Sequence, residues 1–175
     1  MSTIKVDRIE PSDGIQTNAM GGIIQVVRVV HTGQSSVNSA TYVSTGLQAS
    51  ITPRSASNKI MVSFEHSVYH ANVGSVYSLH GIRIKRGTQV IYTPVSNATG
   101  PYDFGIYVPN TSHNYYGRSR VEYLDSPSTT DPITYSTEIA LYNNNNNSGT
   151  AYVNFSDANT VSAPQSWMTL MEITA

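Results

Sequence analysis

Lys59-Ile60-Met61-Val62-Ser63-Phe64-Glu65-His66-Ser67-Val68-Tyr69-His70 alternates with a period of two. Ile60, Val62, Phe64, His66 and Val68 face one way, while Lys59, Ser63, Glu65 and Ser67 face the other. That is the signature of a strand with one buried face, because successive strand side chains point to opposite sides. The same texture continues outward. Before it, Pro53-Arg54-Ser55-Ala56-Ser57-Asn58 reads as a turn, and Val43, Thr45, Leu47, Ala49 and Ile51 share a face. After it, Leu79 to Lys85, Arg86-Gly87-Thr88 and Gln89 to Tyr92 read as a hairpin. Further on, Ile133, Tyr135, Thr137, Ile139 and Leu141 form another face. Trp167, Thr169, Met171 and Ile173 form one side of the last strand. Gly22 to His31 is β-branched and nearly continuous, so it is expected to be a central strand buried on both faces.

No stretch of a dozen residues keeps a helical period. About eight to ten short strands at turn-punctuated intervals predict an all-β fold, an antiparallel β-sandwich of jelly-roll-like form. The first and last strands are expected side by side at the sheet centre. Residues 96–102 and the polar, Tyr-rich stretch Pro109 to Gly117 are expected to be loops, with a strand over Ser119 to Leu124. Asn143 to Gly149 reads as a turn, since Asn and Gly tolerate positive φ.

The chain has 175 residues, enough for one domain with a short appendage. Charged residues make up 12%, about half the usual share, and the net charge is −1. In their place stand 23 Ser, 18 Thr and 14 Asn, with 12 Tyr. Ten basic residues against eleven acidic ones argue against a nucleic-acid partner held by phosphate contacts. The absence of cysteine removes disulfides and thiolate chemistry. No apolar run is long enough for a membrane helix, and the N-terminus lacks the apolar core of a signal peptide. Neither membrane insertion nor a secretory route is therefore expected.

Residues 1–22 form a separate unit, and 23–175 the head. In the first unit Ile4, Val6, Ile9 and Ile15 are the sparse apolar residues, and Glu10-Pro11-Ser12-Asp13-Gly14 is a turn. Such an arm cannot bury itself alone, so it is expected to pack on a partner chain or an assembly, the alternative being that it folds back on its own domain.

Catalytic motifs are missing. There is no Gly-x-Ser-x-Gly, no phosphate loop and no His-Glu-x-x-His, so the chain is read as no enzyme and no cofactor is expected. His66, His70 and His80 fall on inward-facing positions of two strands. A spacing of four along a strand is about 13 Å, too long for two ligands of one ion. The reading favoured is therefore core or interface histidines satisfied by hydrogen bonds, with no metal site; a metal would need symmetry copies around a threefold axis. His113, Asn114, Tyr115, Tyr116, Arg118 and Arg120 cluster aromatic faces with hydrogen-bonding groups. This suits recognition of a glycan or a polar protein surface, and it equally suits a subunit interface.

Three stretches carry a resemblance. The opening Met-Ser-Thr-Ile-Lys-Val-Asp-Arg-Ile followed by Gly21-Gly22-Ile23-Ile24-Gln25-Val26-Val27, the segment Ile51-Thr52-Pro53-Arg54-Ser55-Ala56-Ser57-Asn58-Lys59-Ile60-Met61-Val62, and the ending Trp167-Met168-Thr169-Leu170-Met171-Glu172-Ile173 resemble small structural proteins of marine tailed bacteriophages, including cyanophages. The resemblance implies a trimeric β head with an N-terminal attachment arm, made in the host cytoplasm and located in the virion. It implies contacts with other virion proteins through the arm. The expected function is a short tail fibre or receptor-binding head that attaches to a host surface glycan or protein. The alternative is a capsid decoration or tail-junction protein with a purely architectural role. A glycan-cleaving enzyme is the third class, disfavoured by the missing catalytic constellations.

Overall fold

The computed structural model describes residues 22–73, 77–94, 104–107, 113–143, 149–156 and 164–175. The arm expected over the first residues, with Ile4, Val6, Ile9 and Ile15, lies outside them, as do residues 95–103, 108–112 and 144–148. Among the described residues there are eleven strands and no helix: β1 (Ile23–His31), β2 (Ser35–Val37), β3 (Val43–Ile51), β4 (Lys59–Val73), β5 (Tyr77–Arg86), β6 (Gln89–Tyr92), β7 (Phe104–Tyr107), β8 (His113–Asp125), β9 (Ile133–Asn143), β10 (Thr150–Val153) and β11 (Ser166–Ile173).

They form two antiparallel sheets. In the first, β4 is the spine. β8 runs along one flank of it, with Ile60 opposite Asp125 and His70 opposite Tyr115. The other flank is shared, β11 pairing with its first half and β10 with its second. β1 lies outside β11, and β2 lies outside β10. The second sheet runs β3, β9, β5, with β6 and β7 sharing the far edge of β5. Most long strands therefore hand over to the opposite sheet, the topology of a jelly-roll sandwich.

The expected faces of β3, β4 and β9 are borne out, and so is the β5–β6 hairpin. Gly87, at φ 57°, supplies the left-handed turn, and its N–H donates to the Thr134 carbonyl at 2.8 Å. Ile60, Val62, Phe64, Met168 and Leu170 from the first sheet meet Leu47, Ile82, Ile84, Ile139 and Leu141 from the second. Each is fully or almost fully buried, contributing roughly 1.5–3 kcal/mol per side chain relative to exposure.

Two expectations are corrected. β1 does pair with β11, but it is a margin of the sheet and not a doubly buried centre: Val26 is 58% and Val30 51% exposed. A β-branched run looks the same on an edge whose outer face is apolar. The second correction concerns His113 to Gly117, which is strand and not loop. Twelve of the thirteen residues of β8 pair with β4, which is long enough to carry the ladder past the sandwich core.

Gly46 shows why β3 carries an irregularity between Ser44 and Gln48. Its φ is +81°, and a Cβ there would lie 2.7 Å from His31 Nε2. Gly46→Ala is expected to cost roughly 2–4 kcal/mol, from left-handed backbone strain plus displacement of the ring. Gly87→Ala, with open space around its Cβ, should lose only the backbone part, about 1–2 kcal/mol. Urea unfolding of both variants checks this; equal losses would mean that the His31 ring yields freely.

Candidate functional site

The first sheet turns one face inward and the other to solvent, and the register sorts the outer face into rows. Val26, Met171, Met61 and Leu124 stand opposite one another across β1, β11, β4 and β8 as an apolar row. The next row is polar: Arg28, Thr169, Ser63 and Glu122. The third is Val30, Trp167, Glu65 and Arg120. Nine of these side chains line a depression of about 520 Å³, with Trp167 at one end and Val26, Met61 and Met171 at the other. The Arg28 guanidinium lies 4.9 Å and that of Arg120 5.7 Å from the centroid of the Trp167 ring, within cation–π range. Arg120 also pairs with Glu122, and Arg118 with Glu65 at 2.9 Å.

Farther along the same face is an aromatic cluster. Tyr69 stacks on Phe155 at 4.2 Å and meets Tyr116 at 4.4 Å and Tyr152 at 5.9 Å. Tyr116 stays 55% exposed on top of it.

The recognition residues expected from the sequence therefore separate. Tyr116, Arg118 and Arg120 share the outer face with the depression. Tyr115 points to the other side, its ring folded over Gly117, where a Cβ would meet it at 2.9 Å. Asn114 is exposed near the end of β8, and the His113 side chain lies outside the described residues. What the sequence reading missed is Arg28 and Trp167. The signal was present in the alternation that put Trp167, Thr169 and Met171 on one side, because that side opposes the apolar Met168 and Leu170.

The histidines lie inside the sandwich. His66, His70 and His80 are 1% exposed or less, so they cannot line a symmetry axis between copies. Ser166 Oγ donates to Asn154 Oδ1 at 2.8 Å, which uses its only proton. It must then accept from His66 Nδ1, 2.9 Å away, leaving Nε2 to accept from the Thr137 hydroxyl at 2.9 Å. Thr45 Oγ1 lies 2.6 Å from Thr137 Oγ1. The Asn154 amide donates to the carbonyls of His31 and Gly33. His70 Nε2 and His80 Nδ1 are 2.9 Å apart. The core reading of these histidines is thus borne out, with both ring nitrogens of His66 bonded and His70 bonded to His80. A serine beside a histidine is also the pair a nucleophilic mechanism needs, but Ser166 is fully buried with its proton held by Asn154, so no substrate reaches it.

No family model and no curated protein matches the sequence. Solved structures do show similarity. The VP2 subviral particle of infectious bursal disease virus aligns at 12% identity and a TM-score of 0.40, over 85% of this chain and 39% of that chain. A chain of the same virus, strain Gx, aligns at 12% identity and a TM-score of 0.38, over 86% and 40%. This chain spans about two-fifths of the length of these viral chains.

Burial drives the histidine pKa values down, to about 3 for His66, about 4 for His70 and about 3 for His80; the charge of His31 adds to the first, those of His70 and His66 to the last. Unfolded, each would titrate near 6.5, so between these limits the unfolded state binds more protons. Stability is therefore expected to be fully present above pH 6.5 and to fall as pH drops below it, with a limiting slope of about 4 kcal/mol per pH unit for three groups. Melting temperature against pH checks this, and His70→Gln should lower the slope by about one proton's share. A profile flat from pH 7 to 4 would contradict it.

Proposed function

We propose that this chain is a structural protein of a virus particle, a head that attaches to the host surface and is anchored by its N-terminal arm. The observation that carries the reading is the contrast between the two environments of its polar groups. Inside, His66, Ser166, Thr137 and Asn154 bond to one another. Outside, Trp167, Arg28, Arg120, Arg118 and Tyr116 stand together on one exposed sheet face. This is the chemistry of contact, because aromatic and arginine side chains contribute most at recognition surfaces. The three stretches that resemble tailed-phage structural proteins support the same reading, and they are the source of the arm's role.

In this reading the Ile23–Ile24 end of the β1 margin meets other copies. Ile23 is 56% and Ile24 37% exposed, next to Gly22, whose carbonyl accepts from Thr174 N–H at 3.0 Å. The arm joins the sandwich there. Association through this margin into a homotrimer would cover apolar surface that a lone domain leaves in water.

Immunogold labelling of purified phage particles, with antibody raised against the head, tests the proposal. Gold at tail tips is expected. Gold spread over the capsid would overturn host attachment in favour of an architectural role, and no gold on particles would overturn the virion role. Light scattering of the purified chain should give three times the mass of one chain, and a monomer at micromolar concentration would remove the trimer.

A further inference from the structure

We propose that the Trp167 depression binds an acidic saccharide, with its anionic group on the guanidiniums that Trp167 gathers, those of Arg28 and Arg120, and its apolar ring face against Met61 and Met171. This names a ligand class for the host-surface contact proposed above and rests on that reading for its setting, while the binding itself is independent of where the protein sits. Four features carry it.

The first is size. About 520 Å³ falls within the roughly 300–1,000 Å³ of small-molecule sites. The second is charge. Glu122 is committed to Arg120 and Glu65 to Arg118, whereas Arg28 makes no ion pair among the described residues and lies against the indole. The depression holds two arginines and one carboxylate, an excess of one positive charge that selects an anion. The third is placement: the guanidiniums of Arg28 and Arg120 lie over the indole at 4.9 Å and 5.7 Å, so that Trp167 gathers two cations beside the apolar Met61 and Met171. The fourth is the polar row. Ser63 and Thr169 are almost buried at 5% and 7%, and with Glu122 they place hydroxyl and carboxylate groups in the depression that bond to sugar hydroxyls. Ten basic residues against eleven acidic ones argue against a nucleic acid held by phosphate contacts. An overall charge of −1 argues the same way.

Trp167 is the only tryptophan in the chain, so its fluorescence reports on the site alone. The full-length protein is titrated with oligogalacturonate, with its fully methyl-esterified form and with an oligothymidylate. A saturable, salt-weakened change with oligogalacturonate and none with the ester is expected. Arg28→Gln and Arg120→Gln should each bind about tenfold more weakly, the loss of one charge-assisted contact. Arg83→Gln, on the outer face of the opposite sheet where it pairs with Glu138, should bind as the unmodified chain does. No response at millimolar oligogalacturonate overturns the proposal, as does an equal response to the ester or tighter binding of the oligothymidylate. Without any saccharide, acrylamide should quench Trp167 equally at all protein concentrations. Protection that grows with protein concentration would mean that a second copy occupies the face, and it would also overturn the proposal. A chain that binds oligogalacturonate yet is absent from particles would refute the virion role and leave the site standing.

Discussion

The neutrality of His66 is the constraint on which the interior depends. Its imidazole sits between the sheets, receiving a proton from Thr137 of β9 and giving one to Ser166 of β11. Ser166 passes the sequence of bonds to Asn154, and Asn154 reaches the carbonyls of His31 and Gly33. The direction of every bond follows from two facts: a serine has one proton, and an amide nitrogen has no lone pair to offer. Once Ser166 donates to Asn154, only the Nδ1–H form of a neutral imidazole completes the series. A charged ring would present a second N–H to Thr137, so that Thr137 must turn its hydroxyl away.

These bonds also explain how two interrupted strands remain one sheet. β1 and β2 leave a gap at residues 32–34, while β10 and β11 occupy the same flank of β4 with chain between them. Asn154, at φ 55°, sits where the ladder stops, and its amide donates to the carbonyls that the gap would otherwise strand. Asn is among the few residues that adopt this conformation cheaply and offer both a donor and an acceptor. The far end of the sandwich is held by a different device. Tyr135 and Arg86 of the second sheet both bond Asp125 of β8, at 2.7 Å and 3.0 Å. Desolvation and the hydrogen bond to Asp125 push the Tyr135 hydroxyl well above its ordinary pKa, so it remains a donor. On the second sheet's outer face, burial alone would raise the Glu138 carboxyl, but hydrogen bonds from Arg83 and Lys85 outweigh it and hold the group below its ordinary value.

Much of this was legible because alternation is a local signal. Lys59 to Val68 names its own buried face, and Ile133 to Leu141 does the same, whatever each strand pairs with. The positions of the histidines on inward faces came from the same rule, and hydrogen bonding followed from the cost of burying them bare. Illegible features were those set by neighbours. Nothing within Ile23 to His31 says whether a second sheet edge covers Val26 and Val30, so a margin read as a centre. Nothing within His113 to Gly117 reveals that β4 extends to meet it; Tyr, Asn and Gly there read as a loop until fifteen residues of partner strand are placed alongside. The depression was hidden for a further reason. Its lining comes from β1, β4, β8 and β11, and only the register brings Arg28 and Arg120 to Trp167.

That dispersal bears on what the outer face is for. Stability alone does not ask for Trp167 outside: the core is complete without it, and an indole half-covered by two arginines contributes less than one buried among Leu170 and Phe64. A polar row of Arg28, Thr169, Ser63 and Glu122 set beside an apolar row of Val26, Met171, Met61 and Leu124 is also not the uniform polarity that keeps a sheet face merely wet. Strands make such a surface rigid, because each side chain is held by a backbone paired on both flanks in β4 and β11. A loop would pay ordering entropy on binding that this face has already spent in folding. The proposed recognition from a sheet face therefore rests on the same ladder that corrected the loop reading of His113 to Gly117: once β8 is strand, its Tyr116, Arg118 and Arg120 become one rim of a surface whose floor is β4 and β11.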